Sequence, residues 1–142
     1  MTKTQTIRSS ALLAAALFGL CGLAGAVQAA PVAYDVEVIG PGGHSNGNYG
    51  HTNAVHAAAR IAMILEKTVP TATITGITGG VSVNAIAGEA KMRIWAEPED
   101  AEKVKAAVAE GCAAENAFRG AKAGDITKGG APAEIRYTIS KK

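Results

Sequence analysis

Three histidines lie close together in the first half of the chain, at His44, His51 and His56. An imidazole can accept a proton, donate one or bind a metal near neutral pH, so these are the first residues to weigh for chemistry. His44 follows Gly40-Pro41-Gly42-Gly43. Glycine admits backbone angles closed to other residues and Pro41 fixes its own φ, so this loop is tightly directed and built to present the ring. The three histidines are the only metal candidates, yet their spacing matches no familiar site and no carboxylate pair or cysteine stands near them. No metal and no cofactor is therefore expected. Gly-Pro-Gly-Gly lacks the lysine and spacing of a phosphate loop. Cys112 falls on the inward side of a helical pattern, which reads as a buried, inert thiol.

The elements that must position these residues follow from periodicity. Residues 33–39 alternate, with Tyr34, Val36 and Val38 on one face and Asp35 and Glu37 on the other, which predicts a strand. Thr52 is the expected N-cap of a helix reaching Lys67, with Val55, Ala58, Ile61, Ala62 and Leu65 as its apolar stripe. Pro70 ends it. A second strand over 71–78 is thinly apolar and rich in threonine, which suits a sheet edge. After Gly79-Gly80 a third strand spans 83–96, turning Ala90, Met92, Ile94 and Ala96 inward and Lys91, Arg93, Trp95 and Glu97 outward. Trp95 on that polar face reads equally well as a cap over the charges or as a contact surface.

Pro98 with Glu99 and Asp100 opens a second helix, expected to run to about Glu115 and to bury Ala101, Val104, Val108 and Cys112. Glycines and Pro132 mark 116–132 as a mobile loop, and 134–140 form a last strand with Ile135, Tyr137 and Ile139 inward. The order strand, helix, strand, strand, helix, strand predicts an α+β, ferredoxin-like βαββαβ sandwich. Two helices would cover one face of a four-stranded antiparallel sheet. Asp35, Glu37, Lys91, Arg93, Glu134 and Arg136 would line the wet face, with opposite charges across strands.

The N-terminus reads differently. Lys3 and Arg8 precede an uncharged apolar run from Ala11 to Ala24, and Val27-Gln28-Ala29 has small residues where a signal peptidase reads. Residues 1–29 are expected to be a cleaved secretory signal, leaving 30–142 as one exported domain, periplasmic or extracellular. The apolar run is short for a membrane span of ~20 residues, so no membrane association is expected after cleavage. Without Lys3 and Arg8, twelve basic residues face twelve acidic ones, and that balance gives no support to a nucleic-acid partner. Cys112 is then the only cysteine left, so no internal disulfide forms.

The succession Gly-Pro-Gly-Gly-His44-Ser45, Gly50, Asn53-Ala54-Val55-His56-Ala57 and Gly79-Gly80-x-Ser82-Val83-Asn84-Ala85-Ile86-Ala87 resembles a known family. It is similar to the dimerisation (lid) domain of the aminoacylase/carboxypeptidase-type di-zinc metallopeptidases, peptidase family M twenty. The resemblance implies the fold derived above and lids that pair edge to edge. It also implies that His44 and Asn84 reach into a partner's active site, the histidine polarising the scissile carbonyl and the asparagine holding substrate. That family's zinc ligands and catalytic glutamate lie in a separate domain, and its usual Asp-x-Arg is Trp95-Ala96-Glu97 here. Catalysis by this chain alone is not expected. The reading is a non-catalytic domain that pairs with itself through Thr71, Thr73, Ile74, Thr75, Ile77 and Thr78. Alternatives are an accessory subunit lending His44 and Asn84 to a separate catalytic hydrolase subunit, or a fibre in which both sheet edges pair.

Overall fold

A computed structural model describes residues 29–142. The expected signal, apart from Ala29, lies outside the described residues. The elements are β1 (Val32–Ile39), β2 (Gly43–His44), α1 (Ala54–Thr68), β3 (Thr73–Gly79), β4 (Ala85–Ile86), β5 (Glu89–Ala96), a 3-10 turn (Pro98–Asp100), α2 (Ala101–Arg119) and β6 (Arg136–Lys141). Four strands make one antiparallel sheet in the order β3-β5-β1-β6. The architecture is the α+β, ferredoxin-like one that the alternation predicts. Among the described residues no helix is long and apolar enough to cross a membrane.

β1 is paired on both sides, and its register sets the two faces. Val36 stands opposite Met92 on β5 and Ile139 on β6, and Val38 opposite Ala90 and Tyr137. These residues share the face that receives Ile61 and Leu65 of α1 and Val104 and Val108 of α2, all buried in one cluster. Tyr137 has the expected face but lies on an edge strand and stays 39% exposed. On the other face Arg93 donates two hydrogen bonds to the Asp35 carboxylate, at 2.7 and 2.9 Å. That hydrogen bonding, before charge attraction, holds the Asp35 carboxyl below the usual carboxylate range. Lys91 reaches Glu89 at 2.8 Å and Glu37 at 3.7 Å. Pairs so open to solvent set cross-strand order more than stability.

Several boundaries differ from the periodicity. Asn53, not Thr52, caps α1: its side-chain oxygen accepts from the Val55 and His56 amides. Thr52 is buried, and its hydroxyl donates to the Ala133 carbonyl at 2.6 Å. Both residue types can cap, and a contact with a distant segment decides between them. The second strand begins at Thr73, leaving Thr71 in the turn. The third breaks in two, because Gly88 lets β4 leave the sheet before β5 enters it. The Pro98–Asp100 turn absorbs the expected start of the second helix, and α2 runs on to Arg119 before Gly120 closes it in the left-handed region. The last strand starts at Arg136 rather than residue 134. Of the expected loop 116–132, the first residues are therefore helical. The rest is tied by bonds from Thr127 N to Ala131 O and Ala133 N to Asp125 O, each 2.8 Å.

The helices pack tightly at Gly111 of α2. A methyl there would stand 2.5 Å from Ile61 Cγ1 and 2.8 Å from the Ile61 backbone nitrogen, so the helices would have to part. Gly111→Ala is expected to cost about 2 kcal/mol by overpacking, read as a lower urea midpoint at unchanged slope. At the next residue, burial pushes the Cys112 thiol up to about 12. Its folded pKa lies above its unfolded one, so the stability tied to the neutral thiol is intact below about pH 9 and is lost as pH climbs towards 12. At pH 8 Cys112 should resist a thiol reagent until urea unfolds the chain; labelling in the native state at the unfolded rate would refute its burial.

Candidate functional site

The site is a short ribbon that leaves the main sheet. Gly42 and Gly43 take φ of 63° and 126°, angles that strain any residue with a Cβ. Gly42 also passes so close to Gly88 that a methyl on either would come within 3.3 Å of the other's Cα. Gly40 N donates to Gly88 O at 2.9 Å and seals that crossing. Beyond it β2 pairs with β4, His44 opposite Ala85, and Ser45 N donates to Asn84 O at 2.9 Å.

This pairing brings the two candidate site residues together: Asn84 Nδ2 as placed lies 3.0 Å from His44 Nε2. Proton placement follows from the ring's other nitrogen. His44 Nδ1 accepts from the Asn46 backbone N–H at 3.2 Å, so a neutral ring carries its proton on Nε2. Nε2–H must then meet an acceptor, and the Asn84 amide satisfies it by turning Oδ1 towards the ring. Its NH2 group then faces Ser82 Oγ, which lies 2.9 Å from the other end of the amide and can accept as readily as donate. Ser82, Asn84 and His44 thus form one hydrogen-bonded row, exposed to solvent. With Nε2–H given to Asn84, its outward donors are the second N–H of the Asn84 amide and the Ser82 hydroxyl, suited to a carbonyl oxygen or an oxyanion. The row holds a donor, with no base beside Ser82 to make it a nucleophile.

The other histidines go elsewhere. His51 lines a cavity of about 350 Å³ with Thr52, Arg119, Asp125 and Thr127. His56 Nδ1 is 3.2 Å from Arg119 Nη2. The three rings do not converge, and among the described residues no group of three His, Cys, Asp or Glu could hold a metal ion.

Sequence reasoning missed Glu115, which is buried at the centre of this end. It accepts from the Asn53 amide at 3.1 Å, from Arg60 Nε at 3.0 Å and from Arg119 Nε at 3.3 Å. The signal was present as an acid at helical spacing from Val108 and Cys112, where an apolar residue belongs. Ser82 and Asn46 were also missed as partners of the site.

Of the expected interface residues, Thr73, Thr75, Ile77 and Thr78 are exposed on β3 and Ile74 is half-buried. A bulge at Thr75 shifts the register between Ile74 and Gly76. Thr71 is diverted: its hydroxyl donates to Asp100 at 2.9 Å. Lys103 and Thr71 together hold the Asp100 carboxyl below its usual range. Val55 marks the flank of α1 beside this edge, since a methyl on Gly79 would meet Val55 Cγ2 at 2.7 Å.

The family model described as "Peptidase dimerisation domain" matches residues 31–118. Among solved structures the chain is similar to a hydantoinase/carbamoylase family amidase from Burkholderia ambifaria, at 22% identity and a TM-score of 0.57. It is also similar to the aminobenzoyl-glutamate utilization protein from Klebsiella pneumoniae, at 20% identity and a TM-score of 0.54. The matches cover 80% and 79% of this chain but only 27% and 28% of those proteins. The chain thus spans about a quarter of their length, and likeness at these identities speaks for the fold alone. Comparison with curated proteins returns no match.

The row predicts a tautomer. Nitrogen NMR of the neutral protein should find His44 protonated on Nε2, and Ser82→Ala should lower the ratio of Nε2–H to Nδ1–H by about threefold, the weight of one exposed hydrogen bond. A ring protonated mainly on Nδ1 would refute this arrangement.

Proposed function

The chain belongs to the peptidase dimerisation domain family, and on that footing we propose that it is an exported, non-catalytic domain that associates with itself through β3. The observation that carries the reading is the open edge of that strand. Residues 71–78 contain no charge and no proline, the two devices that usually blunt an edge. The opposite edge, β6, carries Arg136 and Lys141, with Lys142 beyond. Ile77 shares the helix face with Met92, yet it is 44% exposed because nothing lies outboard of it. Val55, Ala59 and Ala62 recur on the neighbouring flank of α1, small enough for a second α1 to approach. Two copies pairing antiparallel would make one eight-stranded sheet with the first helices side by side. The bulge at Thr75 opposes this by breaking the edge into two short runs, and pairing through either run suffices.

Export rests on the basic, apolar and small-residue pattern of residues 1–29, and places the mature domain in the periplasm or outside the cell. A second reading draws on the His44–Asn84 pair at 3.0 Å: the chain lends this donor to the active site of a separate hydrolase subunit. The metal and its activated water would then belong to that subunit.

Sedimentation velocity at micromolar concentration should show a dimer, and both Ile77→Lys and Thr75→Lys should shift it to monomer with the circular dichroism unchanged. A monomeric wild type, or variants that assemble as before, would overturn the β3 interface; open-ended polymers would mean that β6 pairs as well. For the second reading, adding the chain to a lid-less amidohydrolase subunit should raise kcat, and His44→Ala should abolish the gain. No gain from the wild type would sink it.

A further inference from the structure

We infer that Asn46 is a site of spontaneous deamidation, and that the change acts on His44. Asn46-Gly47 is the only Asn-Gly step in the chain. In such a step the Gly47 backbone nitrogen attacks the Asn46 side-chain Cγ, and the side-chain NH2 leaves as ammonia with the Gly47 amide proton, closing a five-membered succinimide. Water then opens the ring at either carbonyl, giving aspartate or, with the backbone rerouted through the side chain, isoaspartate. Water is the only co-reactant.

The local structure favours the attack. Asn46 is exposed, and its side chain takes part in none of the loop's hydrogen bonds. A Cβ on Gly47 would meet nothing within 4 Å, so the loop has room to bring the two groups together. Glycine also gives the backbone the freedom the ring closure needs. The one restraint on the attacking nitrogen is a long hydrogen bond to His44 O, at 3.2 Å. Other asparagines are better held: Asn53 caps α1, Asn116 lies within α2 and bonds Ile135, and Asn84 bonds His44.

The consequence follows from how the loop wraps one carbonyl. His44 O accepts from Gly47 N at 3.2 Å, Asn48 N at 2.9 Å and Asn48 Nδ2 at 3.1 Å. Isoaspartate inserts an extra backbone atom between Asn46 and these donors and displaces all three. Either product also adds a negative charge two residues from His44. The modification therefore sets an anion beside the histidine and loosens the loop that holds it.

The test uses the intact protein aged at pH 8 and 37 °C. Peptide mass mapping should find a gain of one mass unit on the peptide carrying Asn46, part of it as isoaspartate by enzymatic methyl transfer. Gly47→Ala, tolerated because Gly47 has no positive φ and open space around it, should remove that gain while the circular dichroism stays unchanged. The His44 ring resonances should move in the aged wild type and stay fixed in aged Gly47→Ala. No mass gain at Asn46, gains spread equally over Asn48 and Asn84, or conversion undiminished in Gly47→Ala would overturn the site. Conversion with unmoved His44 resonances would overturn its effect on the histidine.

Discussion

A buried carboxylate is the constraint on which this end of the molecule depends. Removing a charge from water costs several kcal/mol unless it is met by good partners, and Glu115 is fully buried. Its oxygens must therefore find Arg60 on one helix, Arg119 on its own and the Asn53 amide at the cap between them. That demand fixes how α1 meets α2 and holds the last residues of the His44 loop where the helix begins. Phe118 lies under both guanidinium groups, each 4.9 Å from its ring, and keeps them over the carboxylate. Below the network Gly111 lets Ile61 in, so close packing and charge pairing specify the same helix crossing.

The site depends on a second constraint, the absence of side chains where Gly42 crosses Gly88. Only there can the chain leave the sheet, form the β2–β4 ribbon and return as β5. The ribbon holds two residues that are forty positions apart in a single hydrogen-bonded row. Its own stability is small: two paired residues per strand in water add little, so the ribbon borrows rigidity from the crossing beneath it.

Where one element's own pattern decides, the sequence was readable. Strict alternation in β1 and β5 fixed their faces, and the helical stripe of α1 fixed its buried side, because burial on one face leaves a period that local chemistry cannot mimic. Where the answer needed a distant partner, it was not. Thr52 and Asn53 are equivalent caps until Ala133 claims the Thr52 hydroxyl. Thr71 looks like the start of a strand until Asp100 takes its side chain. Residues 83–88 read as strand, correctly for Ala85 and Ile86, but the pairing partner is β2 rather than the sheet. Glu115 sits on an apolar stripe that a sequence pattern can only call an exception. Of the site, His44 and Asn84 were legible through their motif, whereas Ser82 and the Asn46 amide emerge only from the geometry.

Among the described residues the β3 edge and the His44–Asn84 row both face solvent, and they differ in what covering them would change. Along β3 the free backbone groups are satisfied by water, so a second strand gains mainly through the apolar surface it covers, at Ile77 and along the flank of α1. The donors of the His44–Asn84 row are different, because their worth depends on the medium. In water an N–H donor polarises a carbonyl little; in a dry cleft the same dipole acts through a far lower dielectric. Tyr49, Val81 and Val83 stand almost fully exposed on the two segments that carry His44 and Asn84. Apolar side chains in those places stabilise nothing in the isolated fold, whose core is complete without them. Their physical effect would be to exclude water from the donor once another surface closes over it, so that the chemistry of His44 and the covering of this end amount to one event.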